Sequence, residues 1–510
     1  MANYFLMRQF TTFLKGTLIL TIAGLLSRFL GFFYKIFLAQ ALGAEGMGIY
    51  QLIFPVFSIC HALTSSGIEV SISRFTAFCR KEERSDWLHA GLFLSLTASL
   101  AVGTALWQGA PFISSNLLHE ARCEPLLKIL AAAVPLAAVH CCFAGSYLGK
   151  KQTGLPAAAQ LLEQTVRIGT VWLLCSVQIQ QGKPVTPALA VLGLLAGEAS
   201  GALFMLTFTG GPLPDLLHPG KYISKCKSLL SMAIPLTGTR LSLTVLQSAE
   251  AVLIPLSLRK SGLSTADALS LYGILTGMAL SFLMFPNAVT SSISSMLLPV
   301  ISEEQAHGNK RNISLTIEYT IQFGLTIGIL CMGIFLRFGN ALGTLLFHEQ
   351  LAGEFLVTLS WICPFLYLTG NINSILHGLG QTKITFANQL ASICLRILFI
   401  IFFVPAYGIE GVLWGLLASQ LLLCLLGIRA IASHVTPTLG LDSLVLKPLA
   451  ALFLSIGGID LLKHVFPAIH FGLEVLNLLI SICMVAAAYF ALLLMFGVWK
   501  LFQGIWGKKR

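Results

Sequence analysis

Residues 152–167 read QTGLPAAAQLLEQTVR, and residues 381–396 read QTKITFANQLASICLR. Laid side by side without a gap, they agree at six of sixteen positions: Gln152/Gln381, Thr153/Thr382, Ala158/Ala387, Gln160/Gln389, Leu161/Leu390 and Arg167/Arg396. The offset of 229 residues is a little under half of the 510-residue chain. LIFP at 52–55 meets LMFP at 283–286 at nearly the same offset. The chain therefore reads as two copies of one unit, each with an arginine deep in an apolar helix. A duplicated membrane bundle with charge at its centre is an architecture that many transporters share.

Composition places both copies in a membrane. The chain is 56% hydrophobic and 10% charged, with a mean hydropathy of +0.84, whereas a soluble domain carries about 25% charged residues. The apolar stretches are long and continuous, which suits membrane helices of about 20 residues and excludes the alternating strands of a β-barrel. Fourteen spans are predicted: 13–40, 48–78, 87–109, 125–148, 153–177, 186–210, 228–258, 268–300, 313–338, 352–378, 384–404, 408–430, 447–465 and 472–499. The spans 48–78, 228–258 and 268–300 are long. They must tilt, extend beyond the bilayer, or kink at Pro55, Pro235 or Pro286.

With the N-terminus placed in the cytoplasm, nineteen of the 32 Lys and Arg residues fall in inner segments, six in outer segments and seven within spans. This bias predicts a multi-pass protein of the plasma membrane with both termini cytoplasmic. The net charge of +11 is then mostly positive-inside loops over anionic lipid and calls for no nucleic-acid partner. No cleavable signal peptide is visible, so the first span serves as its own signal. Of twelve cysteines, only Cys123 is placed clearly in an outer loop, and no CxxC pair exists. They read as small buried apolar residues.

Spans one to six form an N-lobe, 1–210. The stretch GPLPDLLHPGKYISKCK at 211–227 has the Pro, Gly and Lys content of a cytoplasmic linker. Spans seven to twelve form a C-lobe, 228–432, and 433–510 holds two further spans and a basic cytoplasmic tail. A six-span unit crosses an even number of times, so both copies enter from the same side. That is a parallel repeat about an axis along the membrane normal, with a cavity between lobes. Span 2 corresponds to span 8, and span 5 to span 11. The fold class is an all-α polytopic membrane protein of about fourteen transmembrane helices: two six-helix lobes in parallel repeat plus two C-terminal helices. Every loop is about 20 residues or fewer, which leaves no room for a soluble catalytic domain. No serine nucleophile motif, P-loop or pair of catalytic carboxylates stands out, so a non-enzyme without cofactor or metal is expected.

Charged side chains in mid-membrane cost roughly 2.5–3.5 kcal/mol each on insertion scales, so they mark function or pair with one another. The cations are Arg28 and Lys35 in span 1, Arg74 in span 2, Arg167 in span 5, Arg240 in span 7 and Arg396 in span 11. The acids are Glu69 in span 2, Glu163 in span 5, Glu198 in span 6 and Glu250 in span 7. Glu163 and Arg167 are four residues apart and can pair along one helix. In the second copy Ser392 stands where Glu163 would be, so Arg396 has no local acid. Arg28 and Arg240 have none within one turn either. These three call for an acid on another helix or a bound anion. At 1.5 Å per residue, Arg28, Arg167, Arg240 and Arg396 all lie about 18–23 Å from the cytoplasmic start of their spans. Such a belt of guanidinium forks suits a diphosphate headgroup and suits a small cation poorly. Pairing with Glu69, Glu198 and Glu250, or capping of helix breaks, is the structural alternative. GAEGMGIYQLIFP at 43–55 reads as a glycine-rich outer turn followed by a proline-bearing helix that could bend during transport. His61, His140 and His377 read as buried polar residues, and no histidine spacing suits a metal.

Four stretches carry a resemblance: SRFLGFFYKIFLAQALGAEGMGIYQLIFPVFSICHALTSSGIEVSISRF at 27–75, GSYLGKKQTGLPAAAQLLEQTVRI at 145–168, MFPNAVTSSISSMLLPVIS at 284–302 and GLGQTKITFANQL at 378–390. In this order they resemble the stage V sporulation protein B family, polysaccharide-exporter-like members of the multidrug/oligosaccharidyl-lipid/polysaccharide (MOP) superfamily. The resemblance covers spans 1–12. It implies a fourteen-helix, two-lobed, V-shaped MATE-like exporter that flips an undecaprenyl-diphosphate-linked sugar, a peptidoglycan precursor for cell wall or spore cortex. In a related branch, the lipid II flippases, a similar SRxLGF stretch carries a functional arginine that maps onto Arg28. The next arginine of that branch falls at Tyr34, with Lys35 beside it.

The reading is a flippase working by alternating access, with the headgroup on Arg28, Lys35, Arg167, Arg240 and Arg396. Glu69, Glu163, Glu198 and Glu250 are its charge partners or ion-coupling groups. Sodium, protons and the membrane potential all stay open as the drive. The expected partners are the lipid-linked glycan, membrane lipids and wall-synthesis proteins. Two rivals stand: a drug or cation antiporter on the same fold, using Glu69, Glu198 or Glu250, and a non-transporting scaffold for wall synthesis or sporulation.

Overall fold

The structure, a computed structural model, describes residues 2–208, 223–287, 310–433, 442–465 and 474–498, with residue 440 and eight positions between 290 and 305. Residues 211–222 of the predicted linker and 499–510 of the basic tail lie outside the described residues. The described residues are almost all helical, and no strand occurs among them.

By packing, the chain divides into a first unit, 1–259 with 263–273, and a second, 260–262 with 274–510. The first holds α1 (Ala2–His61), α2 (Gly67–Phe78), α3 (Arg84–Phe112), α4 (Cys123–Gly149), α5 (Gly154–Gln180), α6 (Pro187–Phe208), α7 (Ile223–Lys260) and α8 (Thr265–Gly273). The second holds α9 (Lys310–Leu342), α10 (Gln350–Leu359), α11 (Cys363–Gly378), α12 (Thr382–Phe402), α13 (Ile409–Ala432), α14 (Lys447–Val465) and α15 (Glu474–Met495). Residues 223–227, predicted as the end of the linker, are instead the first turn of α7. Cys123, expected in an outer loop, opens α4 and is fully buried. The reason is local: Glu124 and Pro125 in the next two places favour a helix N-terminus.

Among the described residues, twelve segments are long and apolar enough to cross a membrane. One of them, Leu18–Phe78, is 61 residues long and takes in span 2 and most of span 1, divided at Gly43, whose φ of 68° and ψ of −179° leave helical geometry. Counting that segment twice and adding α5 recovers the fourteen predicted spans. The glycine-rich turn is thus a break at one residue, which takes the positive φ that glycine reaches without steric cost. Of the three long spans, 228–258 lies within the continuous helix α7, whereas 48–78 and 268–300 are interrupted. A wide π turn, Ala62–Ser66, separates α1 from α2, and another, Ile274–Ala279, follows α8 before a bend at 284–286.

In the first unit α3 lies along α4, α4 along α6 and α5 along α6; in the second α9 lies along α11, α11 along α13 and α12 along α13. Each pairing in the second unit is the first moved on by six predicted spans, in the same order. That is what a parallel repeat requires. The matched QT residues fall at the same place in both copies, at the N-terminal edge of α5 and of α12. The two extra helices, α14 and α15, pack on each other and on α9, where the Tyr489 hydroxyl donates to the Thr326 carbonyl at 3.0 Å.

Lipid tails are as apolar as leucine, so helices in a bilayer are held by close packing and interhelical hydrogen bonds. Leu18, Ile22, Leu26, Phe29 and Phe33 on α1, Trp172 on α5, Phe402 on α12 and Phe453 on α14 are accordingly exposed. Ile68, Ile72, Phe143 and Met205 fill the core of the first unit, and Ile317, Leu368, Ile372 and Ile375 that of the second. Between helices, Ser95 donates to the Thr64 carbonyl at 2.6 Å and Ser392 to the Ser419 carbonyl at 3.0 Å. Such bonds contribute about 0.6 kcal/mol each on average. The tightest seam joins α1 to α8. A Cβ at Gly48 would stand 2.0 Å from the Leu269 carbonyl oxygen, and one at Gly273 would stand 2.2 Å from that of Ala44. Only glycine admits backbones this close.

Candidate functional site

The helix that falls short of the hydropathy of a membrane span is α5. Gln160, Glu163, Gln164 and Arg167 recur on it at helical spacing, so one face is polar. Arg167 pairs with Glu163 one turn away, as the four-residue spacing predicts. Two further groups reach this pair from other helices. Nη2 of Arg167 stands 3.6 Å from Oε1 of Glu198 on α6, and Oε2 of Glu163 stands 3.5 Å from Nδ1 of His140 on α4. The sequence separations, 31 residues from Arg167 to Glu198 and 23 from His140 to Glu163, carry no signal. Glycine is what brings the helices together. A Cβ at Gly201 of α6 would meet Nδ1 of His140 at 3.2 Å, and one at Gly197 would meet Nε of Arg167 at 3.3 Å. The recurrence of Gly193, Gly197 and Gly201 at four-residue spacing was the available clue, a small-residue seam.

Three ionised side chains left unpaired here would cost roughly 7–11 kcal/mol on insertion scales, so mutual pairing is compulsory. His140, Glu163 and Glu198 each bring one donor atom within 4.8 Å of the others, the closeness a cation would need. Arg167 already lies against both carboxylates, and the four side chains form an ion-paired centre.

A second polar group lies against the first. Glu69 on α2 and His61 at the end of α1 are within electrostatic reach of Arg240 on α7. His61 Nε2 meets the Cys141 thiol at 3.4 Å. Arg240, without an acid nearby in sequence, thus has Glu69 across a helix boundary. The π turn at 62–66 sits between His61 and Glu69, and its hydroxyls close its own carbonyls: Thr64 donates to Cys60 at 2.9 Å and Ser66 to Ala62 at 3.1 Å. Tyr34 and Tyr50 of α1 lie beside one another, in reach of Arg167.

The other predicted site residues lie outside these two groups. Arg28 is exposed on α1, and Lys35, two turns on, is half-buried. Glu250 is half-buried on α7. Arg74 is exposed, with Nη1 4.0 Å from the Met232 sulfur. Arg396 is half-buried on α12 in the second unit. Ser392, in the place of Glu163, ties α12 to α13, where the first unit has an ion pair.

Sequence reasoning missed one cluster at a loop end of the first unit. Arg122 donates from Nε to Glu120 at 2.7 Å and from Nη2 to Glu120 at 3.1 Å, and the same Nη2 meets Glu45 at 2.8 Å. These bonds hold the Glu120 carboxyl below the usual carboxylate range. Glu45 and Arg122 border a cavity of about 500 Å³ lined by Leu42, Ile49, Leu126 and Pro187.

Comparison with known proteins gives three results. The family model described as polysaccharide biosynthesis protein matches residues 13–305. The chain is 28% identical over 505 residues to stage V sporulation protein B of Bacillus subtilis (strain 168), covering 96% of each chain. It is 20% identical over 460 residues to the lipid II flippase MurJ of the same organism, covering 82% of each. Among solved structures, lipid II flippase MurJ in an inward closed conformation superposes with a TM-score of 0.73, at 15% identity, covering 94% of this chain and 98% of that one. The likeness to that structure establishes the fold.

Proposed function

The chain belongs to the polysaccharide biosynthesis protein family, and on that premise we propose that it is a flippase for an undecaprenyl-diphosphate-linked oligosaccharide. The cargo is a peptidoglycan or spore-cortex precursor of the lipid II kind, moved across the cytoplasmic membrane by alternating access, with both termini cytoplasmic. The relatives named stage V sporulation protein B and lipid II flippase support this reading over 96% and 82% of their lengths.

The observation that carries it is Arg28. It lies in SRFLGF, mid-way along a membrane-crossing helix, and is exposed there. A guanidinium in lipid is costly, so an exposed one at this depth marks a polar path. Its planar fork of donors matches two phosphate oxygens at once. Arg240, Lys35 and Arg167 join it as diphosphate ligands in the first unit, and Arg396 is the headgroup cation of the second. Glu69, Glu163, Glu198 and Glu250 keep these cations compensated between turnovers. The glycan rides with the diphosphate while the lipid tail stays in the bilayer. Moving the headgroup across breaks no bond, so on this reading the protein acts as a transporter and not as an enzyme.

The test is native mass spectrometry of the purified protein with an undecaprenyl-diphosphate disaccharide. Binding that inorganic pyrophosphate displaces and Arg28→Ala weakens at least tenfold is the expected result. Equal binding of the undecaprenyl-phosphate analogue, indifferent to Arg28, would refute the assignment.

A further inference from the structure

We propose that the centre formed by His140, Glu163, Arg167 and Glu198 is a proton-binding site: Glu198 takes the proton, and Arg167 is the group that proton uptake releases. The first clause stands on geometry alone. The use made of the released Arg167 rests on the flippase reading.

Two carboxylates and one guanidinium leave a single negative charge when the imidazole is neutral. One proton closes that balance. Glu198 is the group placed to carry it. Its residue is nine-tenths buried, with 9% exposure. Among the described residues it has no hydrogen bond, only the ion contact to Arg167 at 3.6 Å, longer than a hydrogen bond. Glu163, by contrast, is held tightly by Arg167 and faces His140 with its other oxygen. A carboxylate that is buried, beside a second carboxylate, and not hydrogen-bonded favours its neutral form.

Arg240 on α7 faces Glu69 on α2, so that neighbouring group is balanced. From α1, His61 is engaged with Cys141 of α4, and Tyr34 and Tyr50 lie beside Arg167 as neutral phenols. Cys175 of α5 is buried nearby. Sodium is a poor substitute for the proton, since it prefers a shell of oxygens and Arg167 lies among these. Water has access, because the four side chains keep between 11% and 18% exposure.

With Glu198 ionised, Arg167 lies between two anions. With Glu198 protonated, only Glu163 holds it. The buried Nε of Arg167 has no acceptor among the described residues, and the backbone of Gly197 lies close beside it. Proton uptake therefore leaves Arg167 one anion in place of two and opens its charge balance to a diphosphate, so headgroup and proton enter the same unit together.

The test uses a hydrophobic carbodiimide, which modifies protonated carboxyls in membrane proteins, with peptide mass spectrometry of purified wild-type protein from pH 5 to 9. Labelling of Glu198 should fall at least tenfold across that range and be unaffected by sodium. Labelling that does not change with pH, or that sodium suppresses at fixed pH, overturns the proton site. In a second arm, pyrophosphate should bind wild type at least tenfold tighter at pH 6 than at pH 8. Glu198→Gln should bind tightly at both. The same pH dependence in Glu198→Gln overturns the release of Arg167. Correct labelling with no pyrophosphate binding at any pH would leave the proton site standing and refute the headgroup reading instead.

Discussion

Arg167 offers the sharpest test of how the first unit holds charge. Arg167→Met keeps the apolar length of the side chain and removes the cation. Glu163 and Glu198 then face each other with side chains 16% and 11% exposed. Removing one partner of a buried ion pair costs about 3–5 kcal/mol, because the remaining charge is left uncompensated. Two carboxylates are orphaned here, with only His140 near, so the upper part of that range applies. Replacing all three by neutral groups of similar shape is commonly close to neutral. The triple variant Glu163→Gln/Arg167→Met/Glu198→Gln should therefore recover most of the loss despite carrying more substitutions. The assay is the midpoint of thermal aggregation in detergent, read by fluorescence-detected size exclusion. Arg167→Met should lower it by several degrees, and the triple variant should lie nearer wild type than the single one. A triple variant at or below Arg167→Met would mean the effects add, and the coupled centre would be refuted.

The α1–α8 seam should not tolerate side chains: a Cβ at Gly48 must move about 1 Å to clear the Leu269 carbonyl, so Gly48→Val should destabilise by about 1–3 kcal/mol. Gly24→Ala, with nothing within 4 Å, should leave the midpoint unchanged or slightly raised; equal losses at both positions would contradict the seam. At the loop end, Arg122 depresses the Glu120 carboxyl below its ordinary 4.5. The folded value is the lower one, so the stabilisation is present above pH 4.5 and is lost as pH falls through the folded value. A carboxyl carbon NMR titration should place Glu120 below 4.5 and show it rising in Arg122→Gln; an unmoved titration would contradict the bond.

Much of this was legible in the chain because the membrane leaves few choices. Apolar runs had to be helices, and the QT and arginine matches at 152–167 and 381–396 announced the repeat that the helix pairings carry out. The Glu163–Arg167 pair was legible because both partners share one helix. Glu198 and His140 were not, because their approach depends on glycines of α6 that let three backbones crowd together. Arg240 and Glu69 were both singled out but not matched, since their proximity depends on how α7 lies against α2. Breaks were read at prolines and at the glycine-rich turn; the structure has them at Gly43 and at 284–286, runs α7 on through Pro235, and adds π turns that serine and threonine hydroxyls help to close.

The most direct measurement is translocation of a fluorescent undecaprenyl-diphosphate glycan by the purified protein in liposomes, wild type beside Arg28→Ala and Arg396→Ala. Movement by the wild type that both substitutions abolish, with insertion and folding intact, is the predicted result. Wild-type rates in both variants, or no movement of the glycan under any ion gradient, would contradict the flippase.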